Sequence, residues 1–356
     1  MKFLHTADWH LGRQFHNVSL IEDQAHVLDQ FVALAREREV DAVVIAGDVY
    51  DRAVPPAEAV SLLNNVLEQL VIGAGIPVIM ISGNHDSAER LAFGSRLLSD
   101  KGFHVFGPLD RATEPVVLKD AHGDVHFCPF PYAEPSQVRL HLEDEDLHSH
   151  NAALVALTDQ VRSALPSNAR SVAIGHCWLT GGEKSDSERP ITVGGAGYVH
   201  KDCFASFSYT ALGHLHGPQS PGQTIHYSGS LLKYSFSEIG HAKSVNLVDM
   251  DADGAVVVDR LVLAPRRDVR MIQGTMEELL VGPAKGESAD DYLLVRLTDR
   301  KAILDAVGKL RQVYPNVLHL ERPGLLAPGT PKAGASDHRN RSALDLFRDF
   351  HAEITS

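Results

Sequence analysis

The chain has 356 residues and a formal charge of −13, with 44% hydrophobic and 22% charged residues, ordinary values for a soluble globular protein with one large domain plus additions, or two to three domains. Three scattered cysteines without a Cys-x-x-Cys pair exclude a disulfide framework and a sulfur-ligated zinc site, and fit a reducing cytoplasm. No apolar run is long enough to span a membrane, and the acidic balance by itself argues against a basic DNA-binding face, though bound metal ions would neutralise several carboxylates.

In chain order, Lys2 to Thr6 reads as a strand and lacks the regions of a signal peptide. Ile21, Ala25, Leu28, Val32 and Ala35 recur at helical spacing, as do Val60, Leu63, Leu67, Leu70 and Val71. Between them, Val40 to Ala46 is a continuous apolar run, and Pro77 to Ser82, Ser171 to Ile174 and Tyr209 to Leu212 repeat that form. Such runs suit strands covered on both faces. Alternating strands and helices imply a layered α/β domain. Thr224 to Tyr227, Ser244 to Met250 and Ala255 to Leu263 read as strands, the last two joined at the turn Asp251-Ala252-Asp253-Gly254. After Pro265-Arg266-Arg267 comes a smaller α+β unit over 266–322: strand Tyr292 to Leu297, helix Lys301 to Val313 and strand Val317 to Leu320. A Pro/Gly/Ala-rich linker is expected over 323–340 and a short amphipathic helix over 341–356, its face formed by Ala343, Phe347, Phe350 and Ile354. That apolar face calls for a partner or for docking on its own domain.

Ligand-type residues follow five strand-like runs: Asp8-Trp9-His10, Gly47-Asp48, Gly83-Asn84-His85-Asp86, Gly175-His176 and Gly213-His214-Leu215-His216. Ligands bind at the carboxyl edge of open α/β sheets. Residues two apart in extended chain point the same way, so Asp-x-His and His-x-His can share an ion. Each block alone is weak: a lone Gly-Asp is usually a turn, and isolated histidines usually serve the fold. All five in this order point to a two-ion site. Oxygen and imidazole donors without sulfur favour manganese, with iron or zinc as alternatives. A bridging ligand is needed, and the carboxylate of Asp48 is the choice. His104, His122, His126, His141, His148, His150 and His226 have no such context, and Glu143 to Asp146 reads as a solvated acidic surface.

The stretches Phe3 to Gly12, Gly83 to Ser87 and Gly213 to His216 resemble the motifs of the calcineurin-like metallophosphoesterase superfamily. Closer still, Lys184-Ser185-Asp186 with Arg189 and Ile191 to Gly194, and Tyr227 to Ser230 followed by Ser235-Phe236-Ser237-Glu238, resemble its SbcD branch, the nuclease subunits of bacterial SbcCD complexes. The resemblance implies an αββα sandwich over 1–265, a capping domain over 266–322 and a partner-docking helix over 341–356. It implies two Mn2+ ions, one held by Asp8, His10 and His216, the other by Asn84, His176 and His214, with Asp48 bridging. His85 would face the substrate phosphate and support departure of the 3′ oxygen. The pattern departs at Asp51, where archaeal and eukaryotic relatives carry a second histidine; Asp51 is expected to hydrogen-bond His85 and fix its tautomer. DNA, an SbcC ATPase subunit and a homodimer within a heterotetramer are the implied partners, with no membrane. The metal site alone says only phosphoester hydrolysis, so a free-standing phosphatase or cyclic-nucleotide phosphodiesterase is an alternative, as is a scaffold with structural metals.

Overall fold

The computed structural model describes residues 1–111, 114–189 and 197–323. The linker from residue 324 onward, the helix expected over 341–356 and the stretch Ile191 to Gly194 lie outside the described residues. The chain divides into two compact units, Met1–Arg270 and Met271–Ser356. Among the described residues, no helix is long and apolar enough to cross a membrane.

The first unit is built on two sheets. In the six-stranded sheet the order is Val256–Val262, Ser244–Met250, Lys2–Thr6, Ala42–Ala46, Val78–Ile81, Phe103–Phe106. The last four of these run parallel, and the Ser244–Met250/Val256–Val262 hairpin closes one side antiparallel. In the five-stranded sheet the order is Ile225–Tyr227, Tyr209–Gly213, Arg170–His176, Gly123–Phe130, Val116–Asp120. Of its parallel strands, Arg170–His176 and Tyr209–Gly213 likewise end in ligand blocks.

The sheets face each other across one core. Phe3, Val44 and Ile79 of the first pack with Phe127, Val172 and Tyr209 of the second. Phe3 meets Phe127 and Tyr209 edge-on, each at 5.5 Å between ring centroids. Because strand side chains alternate, the opposite faces must be covered too, and helix His150–Ala164 buries Ala153, Leu157 and Val161 against the outer face of the second sheet. Layering of this kind places the parallel strand ends at one edge, which is where the site forms.

Two helices differ from their sequence patterns. In Ile21–Glu37 the buried row includes Asp23 and Gln24 beside Val27, Leu28 and Phe31, because Gln24 bonds to the site's main chain. In Ala57–Leu67 the buried residues are Ala59, Leu63 and Val66, while Val60 is exposed. From the unit boundary onward runs a three-stranded sheet, Val269–Gly274, Tyr292–Leu297 and Val317–Glu321, over a core of Leu293, Val295, Leu310 and Tyr314. The helix of the second unit spans only Ala306–Arg311, shorter than expected, because the Asp305 side chain caps it by accepting from Gly308 N.

Candidate metal centre

The five blocks converge at the shared edge of the two sheets. Main-chain bonds lace the first two together: Asp8 N donates to Gly47 O at 3.1 Å and His10 N to Asp48 O at 3.0 Å. The glycines are needed for close approach. A Cβ on Gly83 would collide with the Asp48 carboxylate and main-chain nitrogen, and one on Gly213 with Ala46 O. Asp8, His10, Asp48 and His214 all adopt positive φ, at 53°, 46°, 49° and 99°. Such conformations are costly for residues with a Cβ and cluster at functional sites.

The donors fall into two buried groups, Asp8/His10/His216 and Asp48/His176/His214. Nε2 of His10 lies 3.0 Å from Nε2 of His216. Asn84 Oδ1 lies 3.0 Å from His176 Nε2 and 3.2 Å from His214 Nδ1, adding an oxygen to the second group. Asp48 Oδ2 stands between the groups, 3.4 Å from His176 Nε2 and 3.6 Å from His10 Nε2. His176 Nδ1 is 2.9 Å from Ala46 O. A carbonyl can only accept, so Nδ1 carries a proton, and Nε2 is the nitrogen that would give up its own proton to offer a lone pair to a cation.

The residues fit a pair of cations. Asp8 Oδ2 is buried without a hydrogen-bond partner, a state that native proteins avoid unless something else satisfies the atom. Burial raises the Asp8 carboxyl to about 6 and pushes His10 and His214 well below the usual histidine range. Burial also opposes charge on Asp48 and His176. Each offsets that for the other: Asp48 is held well below the usual carboxylate range, and His176 rises to about 9. Carboxylates and imidazoles this crowded and dry are the donor set of hard-to-borderline divalent ions.

The calcineurin-like phosphoesterase family matches residues 1–129, and the type 5 capsule protein repressor C-terminal domain matches residues 265–355. The SbcD subunit of the nuclease SbcCD from Staphylococcus epidermidis is 37% identical over 321 residues, 90% of this chain and 85% of that protein. The chain belongs to the SbcD family. Among solved structures, TT1561 of Thermus thermophilus is 13% identical, covering 73% of this chain and 98% of that one at a TM-score of 0.41. A dimetal phosphatase from Danio rerio is 14% identical, covering 74% and 97% at a TM-score of 0.42. As a metallophosphoesterase of the SbcD family, the chain is a hydrolase of phosphoester bonds with a dinuclear divalent-metal centre.

In this SbcD-family chain, His85 sits at the rim of the centre. Its main-chain N donates to Asp48 Oδ1 at 2.9 Å and its Nε2 is 4.0 Å from Asp48 Oδ2. Asp51 touches His85 through its main-chain oxygen, 2.8 Å from Nδ1, and not through its carboxylate. The carboxylate instead accepts from Arg13 at 3.3 Å and lies 3.7 Å from His10 Nδ1. The expected tautomer control is thus a backbone contact that any residue at 51 could make. Sequence reasoning passed over Gln24 and Asp86. The Gln24 amide donates to Trp9 O and His10 O and accepts from Gly12 N, holding the first block. Asp86 accepts from the main-chain nitrogens of Val49, Tyr50 and Gly83, tying the second block to the third. Burial and the neighbouring Asp48 charge raise it to about 7. A polar residue inside an apolar helical stripe was the available signal for Gln24.

Proposed function

We propose that this chain is the manganese-dependent nuclease subunit of an SbcCD-type complex, cutting DNA phosphodiesters at ends and hairpins under ATP-dependent control by an SbcC subunit, in the cytoplasm. In this reading Asp8, His10 and His216 hold one ion, Asn84, His176 and His214 the other, and Asp48 bridges them. The observation that carries it is the position of Asp48 Oδ2 between His176 and His10, at 3.4 and 3.6 Å. The DNA substrate and the partner rest on the relationship to the S. epidermidis nuclease subunit. A capping domain over 266–322, a linker over 323–340, a docking helix over 341–356 and a homodimer within a heterotetramer belong to the same proposal.

When bound, the two ions would polarise phosphoryl oxygens and acidify water. The protein's own part is positional. Nδ1 of His85 is committed to the Asp51 carbonyl, so any proton it passes to a leaving oxygen comes from Nε2. The main-chain bond from His85 to Asp48 keeps that nitrogen beside the centre.

The test is an assay with Mn2+ on linear and hairpin DNA, with and without SbcC and ATP, beside His85→Ala. Wild type should cut both, and the variant should retain both ions yet cut roughly 10²–10⁴-fold more slowly. No cleavage under any condition sinks the nuclease reading. A variant that cuts like wild type removes His85 from the mechanism.

A further inference from the structure

Two stretches that carry none of the metal donors, Lys184-Ser185-Asp186 and Ser235-Phe236-Ser237-Glu238, meet behind His216. Asp186 N donates to Ser237 Oγ at 3.0 Å, and Ser185 Oγ lies 3.0 Å from Glu238 Oε1. Between them stands Ser187, whose Oγ is 2.5 Å from His216 Nδ1 and donates to Glu238 Oε1. Glu238 is wholly buried and pairs with Lys243, itself 6% exposed, at 2.6 Å.

Hydrogen-bond polarity sets the order of this chain. Glu238, ionised beside Lys243, can only accept. Ser187 must therefore give its single proton to Glu238, and its oxygen is left to accept from His216. Nδ1 of His216 then carries the proton, and Nε2 presents a lone pair toward His10 Nε2, 3.0 Å away. The main chain of His216 is gripped as well. Lys243 Nζ donates to His216 O at 2.8 Å and to Ser230 Oγ at 2.8 Å, while Glu188 accepts from His216 N at 2.9 Å. Every proton of Lys243 thus has an acceptor, and replacing a buried ion pair by packed apolar side chains is often neutral for stability. What the ion pair adds is direction.

We infer that Ser187, Glu238 and Lys243 form a positioning relay that fixes the tautomer and aim of His216 toward one of the two ions. The inference rests on the ligand set proposed above. Neither Ser187 nor Glu238 reaches the reacting atoms; both act through His216. Removing such an outer partner weakens metal binding by about 10–100-fold.

Full-length wild type, Ser187→Ala, Ser187→Thr and His216→Ala are titrated with Mn2+ calorimetrically, with electron paramagnetic resonance to count coupled ions and chelated samples melted in parallel. Ser187→Ala should weaken one ion by about 10–100-fold, the same ion that His216→Ala loses, and leave the other ion and the metal-free melting temperature as in wild type. Ser187→Thr, which keeps the hydroxyl, should restore it. If Ser187→Ala binds both ions like wild type while His216→Ala loses one, the relay is refuted and the ligand set stands. If His216→Ala itself keeps both ions at wild-type affinity, the ligand set fails and the relay with it. A metal-free Ser187→Ala that melts well below wild type also overturns the relay, since the contact is then structural. Glu238→Gln, which cannot hold the charge of Lys243, should show the same single-ion deficit as Ser187→Ala.

Discussion

The strand Arg170–His176 carries a cationic or ionisable side chain at each end, and the two ends differ in how their polar groups are satisfied. At the first, Arg170 donates to both oxygens of Asp120 at 2.8 and 2.7 Å and to Gly123 O at 2.8 Å, and the Met1 amino group lies 2.7 Å from Asp120. Bonded in this way to Arg170, the Asp120 carboxyl is held well below the usual carboxylate range. At the other end, His176 joins a group in which Asp8 Oδ2 is buried without a hydrogen-bond partner and four residues hold positive φ. Both ends are rich in charge. One end satisfies its charges within the chain, and the other waits for cations. Buried charge that is fully bonded holds a fold, whereas buried charge left unbonded marks a ligand.

This contrast predicts a graded set of effects. The largest is at Asp48. Asp48→Asn should lower phosphodiester turnover roughly 10³-fold, several kcal/mol of barrier, while Asp8→Asn, which removes the carboxylate whose Oδ2 has no partner and whose pKa burial raises, should leave the chelated protein as stable as wild type or more so. A chelated Asp8→Asn that melts lower would break the contrast. Next, Asp120→Asn strands a buried guanidinium and should cost about 3 kcal/mol of stability with Mn2+ affinity unchanged, read by denaturant unfolding and calorimetry. The sign of its pH dependence follows from the depressed carboxyl. Asp120 stabilises the fold above its unfolded pKa, near 4, and that advantage is lost as pH falls below it. Wild type and Asp120→Asn should therefore converge in stability in acid. Restoring Mn2+ to chelated wild type at a hundredfold excess over Kd should add about 2.7 kcal/mol per site, and the Asp48→Asn protein should gain less. The smallest effect is at Gln24, where Gln24→Ala leaves the carbonyl of His10 without its side-chain donor, while Trp9 O keeps the Tyr234 hydroxyl, and should cost about 1–2 kcal/mol, visible in a melt. A larger loss in metal affinity than in stability would show that Gln24 serves the site more than the fold.

Much of the layered fold was legible because its signals are local. Apolar runs such as Val78–Ile81 marked the buried strands, and the glycines before Asp48, Asn84, His176 and His214 marked where each strand ends in a ligand. Helix faces were read less well. Gln24 and Asp23 are polar yet buried, and Val60 is apolar yet exposed, because tertiary neighbours override the stripe. The contact between Asp51 and His85 was foreseen, but it runs through the main chain, which carries no residue identity and cannot be read from a side chain.

By itself, the sequence determined which donor types stand at the strand ends and that no sulfur joins them, since strand alternation and glycine turns are properties of a few consecutive residues. Only the tertiary structure decided how those donors meet. His10 and His216 face each other across 206 positions of chain, and Ser187 reaches Glu238 across 51. Which nitrogen of a histidine bears the proton follows from such distant partners, and no local pattern records them.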